Sequence, residues 1–255
     1  MRLTPFADVT IDGVRHRLFI EIRESVISGI VKAMKAKPMY IADGHHRFET
    51  ACNYQKEERL AGSSGSGHEY VMTYFADSRS NPFKIFPTHR LIRVSNVKSW
   101  DQLAKLGAIE KVSGAQALLK RLDAYRADVP GQPYDFGFYT RETGFHFLRL
   151  NRKTVVRVKK NPVDSLDVAV LHRFILEPCF GIKRIEKSEA IDFTRDPEDA
   201  KRRVDQGVFD AAFFLRPTSL KEMIRASKKG LKMPQKSTYF HPKLLSGLVF
   251  YSLND

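Results

Sequence analysis

Residues 134–150, YDFGFYTRETGFHFLRL, alternate apolar and polar side chains on both sides of a short glycine-containing turn. That pattern dictates a β-hairpin, because a period of two sends successive side chains to opposite faces and the turn brings the chain back antiparallel. A second stretch, VTIDGVRHRLFIEI, does the same around Asp12-Gly13, a pair suited to a two-residue hairpin turn. Two local hairpins argue against a doubly wound parallel sheet and for an α+β chain with mixed or antiparallel sheets and packed helices.

The other segments fit that class. ESVISGIVKAMKA carries Val26, Ile27, Ile30, Val31 and Met34 at helical spacing, and Pro38 closes it. MYIA (39–42) is predicted as a short buried strand, followed by the Asp43-Gly44 turn and a helix from about His46 to Leu60. AGSSGSG reads as a surface loop before a strand-like YVMTYFA, and FKIFPTHRLIRV as two strands broken at Pro87. Two helices flank GAIEKV. DSLDVAVLHRFILEPCFGI is predicted as a helix capped by Asp164 or Ser165 and ended by Pro178, and DPEDAKRRVDQG as a helix ending at Gly207. FDAAFFL reads as a buried strand, TSLKEMIRASKKG as a helix capped by Thr218 or Ser219, and MPQKSTYFHPKL as a polar loop. We expect a first region over 1–95 and a second α+β region over 96–255.

Lys and Arg number 43 against 29 Asp and Glu, a net charge of +14 over 255 residues. This favours a small anionic ligand. The basic residues are interleaved with acids, as in KRIEKSEAID, rather than gathered in one block, so nucleic acid is the less favoured partner. The two cysteines, Cys52 and Cys179, form neither a disulfide framework nor a zinc pattern and suit a reducing compartment. No apolar run is long enough to span a bilayer and the N-terminus lacks a signal-type apolar stretch, so a soluble, cytoplasmic protein without a membrane partner is expected. Nothing in the sequence indicates an oligomeric state.

The chemistry concentrates in YIADGHHRFETACNYQKE, residues 40–57, where an apolar stretch turns into a helix. Such a helix start presents unpaired backbone N–H groups and partial positive charge, a seat for phosphate or carboxylate. Gly44 lets the backbone approach a ligand, and His45, His46 and Arg47 supply donors to phosphate oxygens. Asp43 is positioned to cap the helix, hold a histidine tautomer, act as a base or ligate a metal. Adjacent histidines point about 100° apart on a helix, so a metal site is the weaker reading. FPTHRLIR adds His89 and Arg90 as a second His-Arg step, and MPQKSTYF adds the donors Gln235, Lys236, Ser237 and Thr238 without the glycine spacing of a P-loop. His172, inside an apolar helix, reads as a packing histidine, and Arg216-Pro217-Thr218 at a strand end is a positional hint.

MYIADGHHRFETA, FPTHRL, LDVAVLHRFILEPCFGI, FDAAFFLRPTSL and MPQKSTYFHPKLLSGLV together resemble a bacterial family known as domain of unknown function 1015, from about Asp12 onward. Members of that family carry a further N-terminal region with a Pro-Pro-Tyr-Asp type motif that this sequence does not show, so a site shared with that region is expected to be incomplete here. The Asp-Gly-His-His-Arg box is similar to the glycine–basic box of the ParB/sulfiredoxin superfamily, whose turn and helix start bind nucleotide phosphates in chromosome-partitioning CTPases, sulfiredoxin and a free-serine kinase. The resemblance implies a ParB/sulfiredoxin-like strand-turn-helix element near the N-terminus, with Gly44, His45, His46 and Arg47 on phosphates. It names Glu21 as a candidate for the kinase's acidic base.

The leading expectation is a nucleotide- or phosphometabolite-binding protein acting as a small-molecule, serine-like phosphotransferase, with ATP or ADP and Mg²⁺. Asp43, His46 and Arg47 would be catalytic, with Asp43 also on the metal. His89, Arg90, Lys236, Ser237 and Thr238 would be further phosphate-binding residues. One alternative is a non-enzymatic, nucleotide-switched regulator that associates with DNA or protein; another is a metal-dependent hydrolase.

Overall fold

The Asp12-Gly13 signal is realised as a tight turn with both residues at positive φ, 51° and 74°, joining β1 (Ala7–Ile11) to β2 (Val14–Leu18). Two left-handed residues match the twist of the flanking strands, which makes this dipeptide suit the position. The computed structural model describes residues 4–78, 80, 83–94, 99–124, 133–158, 161–183, 185, 188–234 and 236–253. The chain divides into two compact units, 1–83 with 242–255 and 84–241.

In the first unit the hairpin is followed by α1 (Glu24–Met34) and α2 (His45–Ala61). α1 carries the expected apolar stripe, yet none of its residues is buried. Two expectations fail here. Met39–Ala42 lies outside any strand, with Met39 62% and Ile41 39% exposed, and residues 70–76 are likewise not strand. An apolar run expresses β structure only against a neighbouring strand, and neither run is paired among the described residues.

The second unit contains the packed core. Its strands are β3 (Lys84–Phe86), β4 (His89–Ile92), β5 (Gly107–Val112), β6 (Asp135–Thr140), β7 (Gly144–Leu150), β8 (Ile191–Thr194), β9 (Ala211–Phe214) and β10 (Tyr239–His241). β3 and β10 form a two-stranded ribbon, so Tyr239–His241 within the expected polar loop is a strand. The others form a six-stranded sheet in the order β5-β7-β6-β9-β4-β8. Every pairing among the described strands is antiparallel, as the hairpins required.

Helices cover both faces of this sheet. On one face lie α3 (Ser99–Ala104), α5 (Arg152–Val155), α6 (Asp167–Val170) and α7 (Glu177–Phe180), supplying Leu103, Val155, Val168 and Phe180 to one cluster. On the other, α4 (Ala115–Asp123) and α8 (Pro197–Asp205) supply Leu118, Leu122, Ala200 and Val204. Burial on both faces explains the uninterrupted apolar run of β9: Ala211 and Phe213 enter the first cluster, Ala212 and Phe214 the second. Gly137 on β6 lets α4 approach, since a Cβ there would sit 2.4 Å from Leu118 Cδ2. α9 (Leu220–Lys228) starts in a reciprocal capping box between Ser219 and Glu222.

The segment 164–181 departs from the expected single helix. α6 is preceded by Leu166, with no side-chain cap from Asp164 or Ser165. A π-helical turn, Leu171–Leu176, separates α6 from α7, and Pro178 stands in the first turn of α7 instead of ending the helix. The helical conformation runs unbroken from Asp167 through the π turn to Phe180, so Pro178 is carried within it and the stop falls at left-handed Gly181, φ 73°.

Candidate functional site

Gly44 takes a left-handed conformation, φ 80°, at the N-cap of α2. An L side chain is strained there, and space is short as well, because a Cβ would lie 2.9 Å from Arg47 Nη2. The glycine therefore does two things: it turns the chain into the helix and lets the Arg47 guanidinium fold back over the turn. The N-cap residue, a glycine, has no side chain to cap the helix, and no acidic residue occupies its first turn. A helix start of this kind carries partial positive charge and first-turn N–H groups without intrahelical acceptors.

Asp43 Oδ2 accepts a hydrogen bond from Lys243 Nζ at 2.6 Å, within the same unit. Partial burial works to raise the Asp43 pKa, but the Lys243 bond and charge, the Gly44 N–H and the Arg47 charge outweigh it and hold it below the usual value. Asp43 is thus an anion at neutral pH. His46 Nδ1 lies 3.5 Å from Glu49 with its ring exposed, and His45 is exposed without a partner among the described residues. Lys243 was not singled out in the sequence: it lies 200 residues from its partner, and no local pattern marks it. Glu21 is bound by its neighbour, with Arg23 Nε donating to Oε1 at 2.9 Å.

The remaining candidates lie in the second unit, and strand alternation separates two of them. His89 points to the face of Phe214, its ring centroid 4.9 Å away, and Arg90 to the face of Phe193 and His172. His89 is fully buried and neither ring nitrogen has a partner among the described residues. Desolvation, aided by the Arg90 charge and opposed by Asp196, lowers its pKa to about 3. Arg90 is also buried: its Nε donates to His172 Nε2 at 3.2 Å, its Nη2 to the Lys236 carbonyl at 3.1 Å, and its Nη1 to the Thr88 carbonyl. No carboxylate pairs with it among the described residues, and burial lowers its pKa to about 9. His172, read as a packing histidine, accepts from Arg90, and desolvation with the Arg90 charge takes its pKa to about 3. Lys236 is exposed at φ 54°, Ser237 is buried, and Gln235 lies outside the described residues. Arg216 makes a buried two-point ion pair with Asp167, at 2.8 and 3.1 Å, so the strand-end hint marks structure.

Among the described residues no three His, Cys, Asp or Glu side chains are grouped to hold a metal, and no helix is long and apolar enough to cross a membrane. Asp43, the only carboxylate of its box, is committed to Lys243. The donor set does not fit a protein-built Mg²⁺ site.

No curated protein matches the chain by sequence. Among solved structures, a free serine kinase variant in complex with AMP is 16% identical at a TM-score of 0.40, covering 86% of this chain and 81% of its own. A conserved hypothetical protein from Pyrococcus furiosus is 15% identical at 0.40, with 86% and 84% covered. Free serine kinase in complex with AMP matches at 14% and 0.38, covering 86% of this chain and 81% of that one. Over residues 1–169 the chain matches the model of a family described as protein of unknown function (DUF1015), and it belongs to that family.

Proposed function

We propose that the N-terminus of α2 binds the phosphates of a nucleotide, ATP or ADP, and that the protein transfers a phosphoryl group to a small hydroxyl-bearing acceptor of serine type. The observation that carries this reading is the first turn of α2: left-handed Gly44, no capping side chain, no acid, and three consecutive basic residues. Cations in a first turn cost about 0.3–1 kcal/mol each unless an anion faces them. A triphosphate reverses that sign and takes up the backbone N–H groups. The similarity of the box to that of the ParB/sulfiredoxin superfamily points the same way.

In this reading Gly44, His45 and His46 hold phosphate oxygens, and Arg47 stabilises charge on the transferring group. The acceptor oxygen attacks the γ-phosphorus, the bond to the bridging oxygen of the diphosphate breaks, and the acceptor proton passes to Asp43, which Lys243 keeps ionised and oriented.

The test is a thermal-shift screen of the whole chain with ATP, ADP, CTP, serine and phosphoserine. One nucleotide should stabilise the protein, and His46→Ala and Arg47→Ala should each remove the stabilisation. Asp43→Asn should keep binding and abolish turnover to phosphorylated product. Unchanged binding in both basic-residue variants would refute the assignment. Binding without turnover in wild type would leave a nucleotide-switched binder in its place.

A further inference from the structure

Three buried donors in the second unit converge on the backbone of the segment before β10. Arg90 Nη2 donates to the Lys236 carbonyl at 3.1 Å, Thr218 Oγ1 to the Ser237 carbonyl at 3.1 Å, and Ser237 Oγ to the Pro234 carbonyl at 2.6 Å. Planar trans peptides oppose their C=O and N–H groups, so the Ser237 N–H is aimed away from Arg90 and the Thr238 N–H away from Thr218. Immediately before these two peptides Lys236 sits left-handed at φ 54°, exposed, its ammonium without a partner among the described residues. Behind it the Arg90 guanidinium is 1% exposed and lacks a carboxylate among the described residues; its neighbours are carbonyl oxygens, His172 and the Phe193 ring. A buried cation without a counter-ion is costly, and its field is poorly screened. The two positive charges are joined through one residue, because the carbonyl that Arg90 holds belongs to Lys236.

We propose that Lys236, Ser237 and Thr238 form a phosphoryl-binding seat within the second unit, in which Arg90 is a positioning residue and buried counter-charge, not a ligand contact. The seat is built from residues of the second unit alone. Arg90 fixes the direction of the 236–237 peptide and adds positive potential behind the lysine, while Thr218 fixes the next peptide.

The experiment is a backbone-amide chemical-shift titration of the whole chain with inorganic phosphate, with ATP, and with adenosine as the phosphate-free control. The amides of Lys236, Ser237 and Thr238 should shift saturably with phosphate and ATP and not with adenosine. Lys236→Ala, on an exposed side chain, should weaken the response about tenfold. Arg90→Met should do the same, and Arg90→Lys, which keeps the charge, should recover part of the loss; a merely structural arginine would show no such rescue. Arg47→Ala should leave these three amides responding as in wild type, which tells failure of the α2 site from failure of this one. Static amides, a response to adenosine, or an unchanged response in Lys236→Ala would overturn the proposal.

Discussion

Acidification should unfold the second unit through His89 and His172. Both have folded pKa values of about 3, held down chiefly by desolvation and then by the Arg90 charge. In the unfolded chain a histidine titrates near pH 6.5. A depressed histidine pKa contributes stability that is fully present above the unfolded value and is lost as pH falls from about 6.5 toward 3, because the unfolded state binds the proton first. At about pH 5 each residue has given up about 2 kcal/mol relative to pH 8, from about 1.4 kcal/mol per pH unit below 6.5. Together they remove about 4 kcal/mol, a large part of a typical domain's stability.

The assay is urea unfolding across that pH range, followed by tryptophan fluorescence. Trp100 is the only tryptophan, and it stacks on Phe138 with centroids 5.5 Å apart, so the signal reports this unit. Carboxylates also titrate on the acid side, so the informative quantity is the difference from variants. His89→Leu removes two unpartnered nitrogens and should be close to neutral at about pH 8. It should gain about 2 kcal/mol on wild type by pH 5. His172→Gln keeps an acceptor for Arg90 Nε and should show the same relative gain. Parallel stability curves for wild type and both variants would refute the argument, since they would mean that neither histidine is held neutral.

Three further outcomes are expected. Arg216→Met should destabilise the second unit by about 3–5 kcal/mol in the same Trp100 assay, because it leaves the Asp167 carboxylate buried and unpaired. Gly137→Ala should cost about 1–3 kcal/mol there, since the new methyl overlaps Leu118 and α4 must shift. Gly44→Ala should cost about 1–2 kcal/mol of left-handed strain and displace the Arg47 guanidinium, read as lost nucleotide stabilisation in the thermal-shift screen.

What was legible in the sequence was local. The Asp12-Gly13 and Thr140–Gly144 turns, the Ser219 capping box, the Gly207 stop and the two-sided burial of β9 each follow from a few adjacent residues. Segments 39–42 and 70–76 failed because strand formation depends on a partner elsewhere, which an apolar run does not announce. The segment around Pro178 failed for a related reason: a π turn upstream changes which N–H groups the helix needs, and that shift is not encoded in the proline.

The cationic residues divide along the same line. Gly44 to Arg47 could be read as one element because a turn and a helix start keep neighbours together. His89 and Arg90 are just as close in sequence, but a strand sends them to opposite faces, one against Phe214 and the other beneath the Lys236 carbonyl. Sequence proximity at a glycine turn and helix start keeps residues on one short element, whereas in a strand it places neighbours in opposite environments. The residues that complete each cluster, Lys243 for Asp43 and Lys236 for Arg90, come from the far end of the chain, 200 and 146 residues away. A charge is assigned to a ligand or to the scaffold by what stands opposite it. For Arg90 that is three protein acceptors, two of them backbone carbonyls, which makes it scaffold. For Arg47 it is the glycine turn at the start of α2, over which its guanidinium folds.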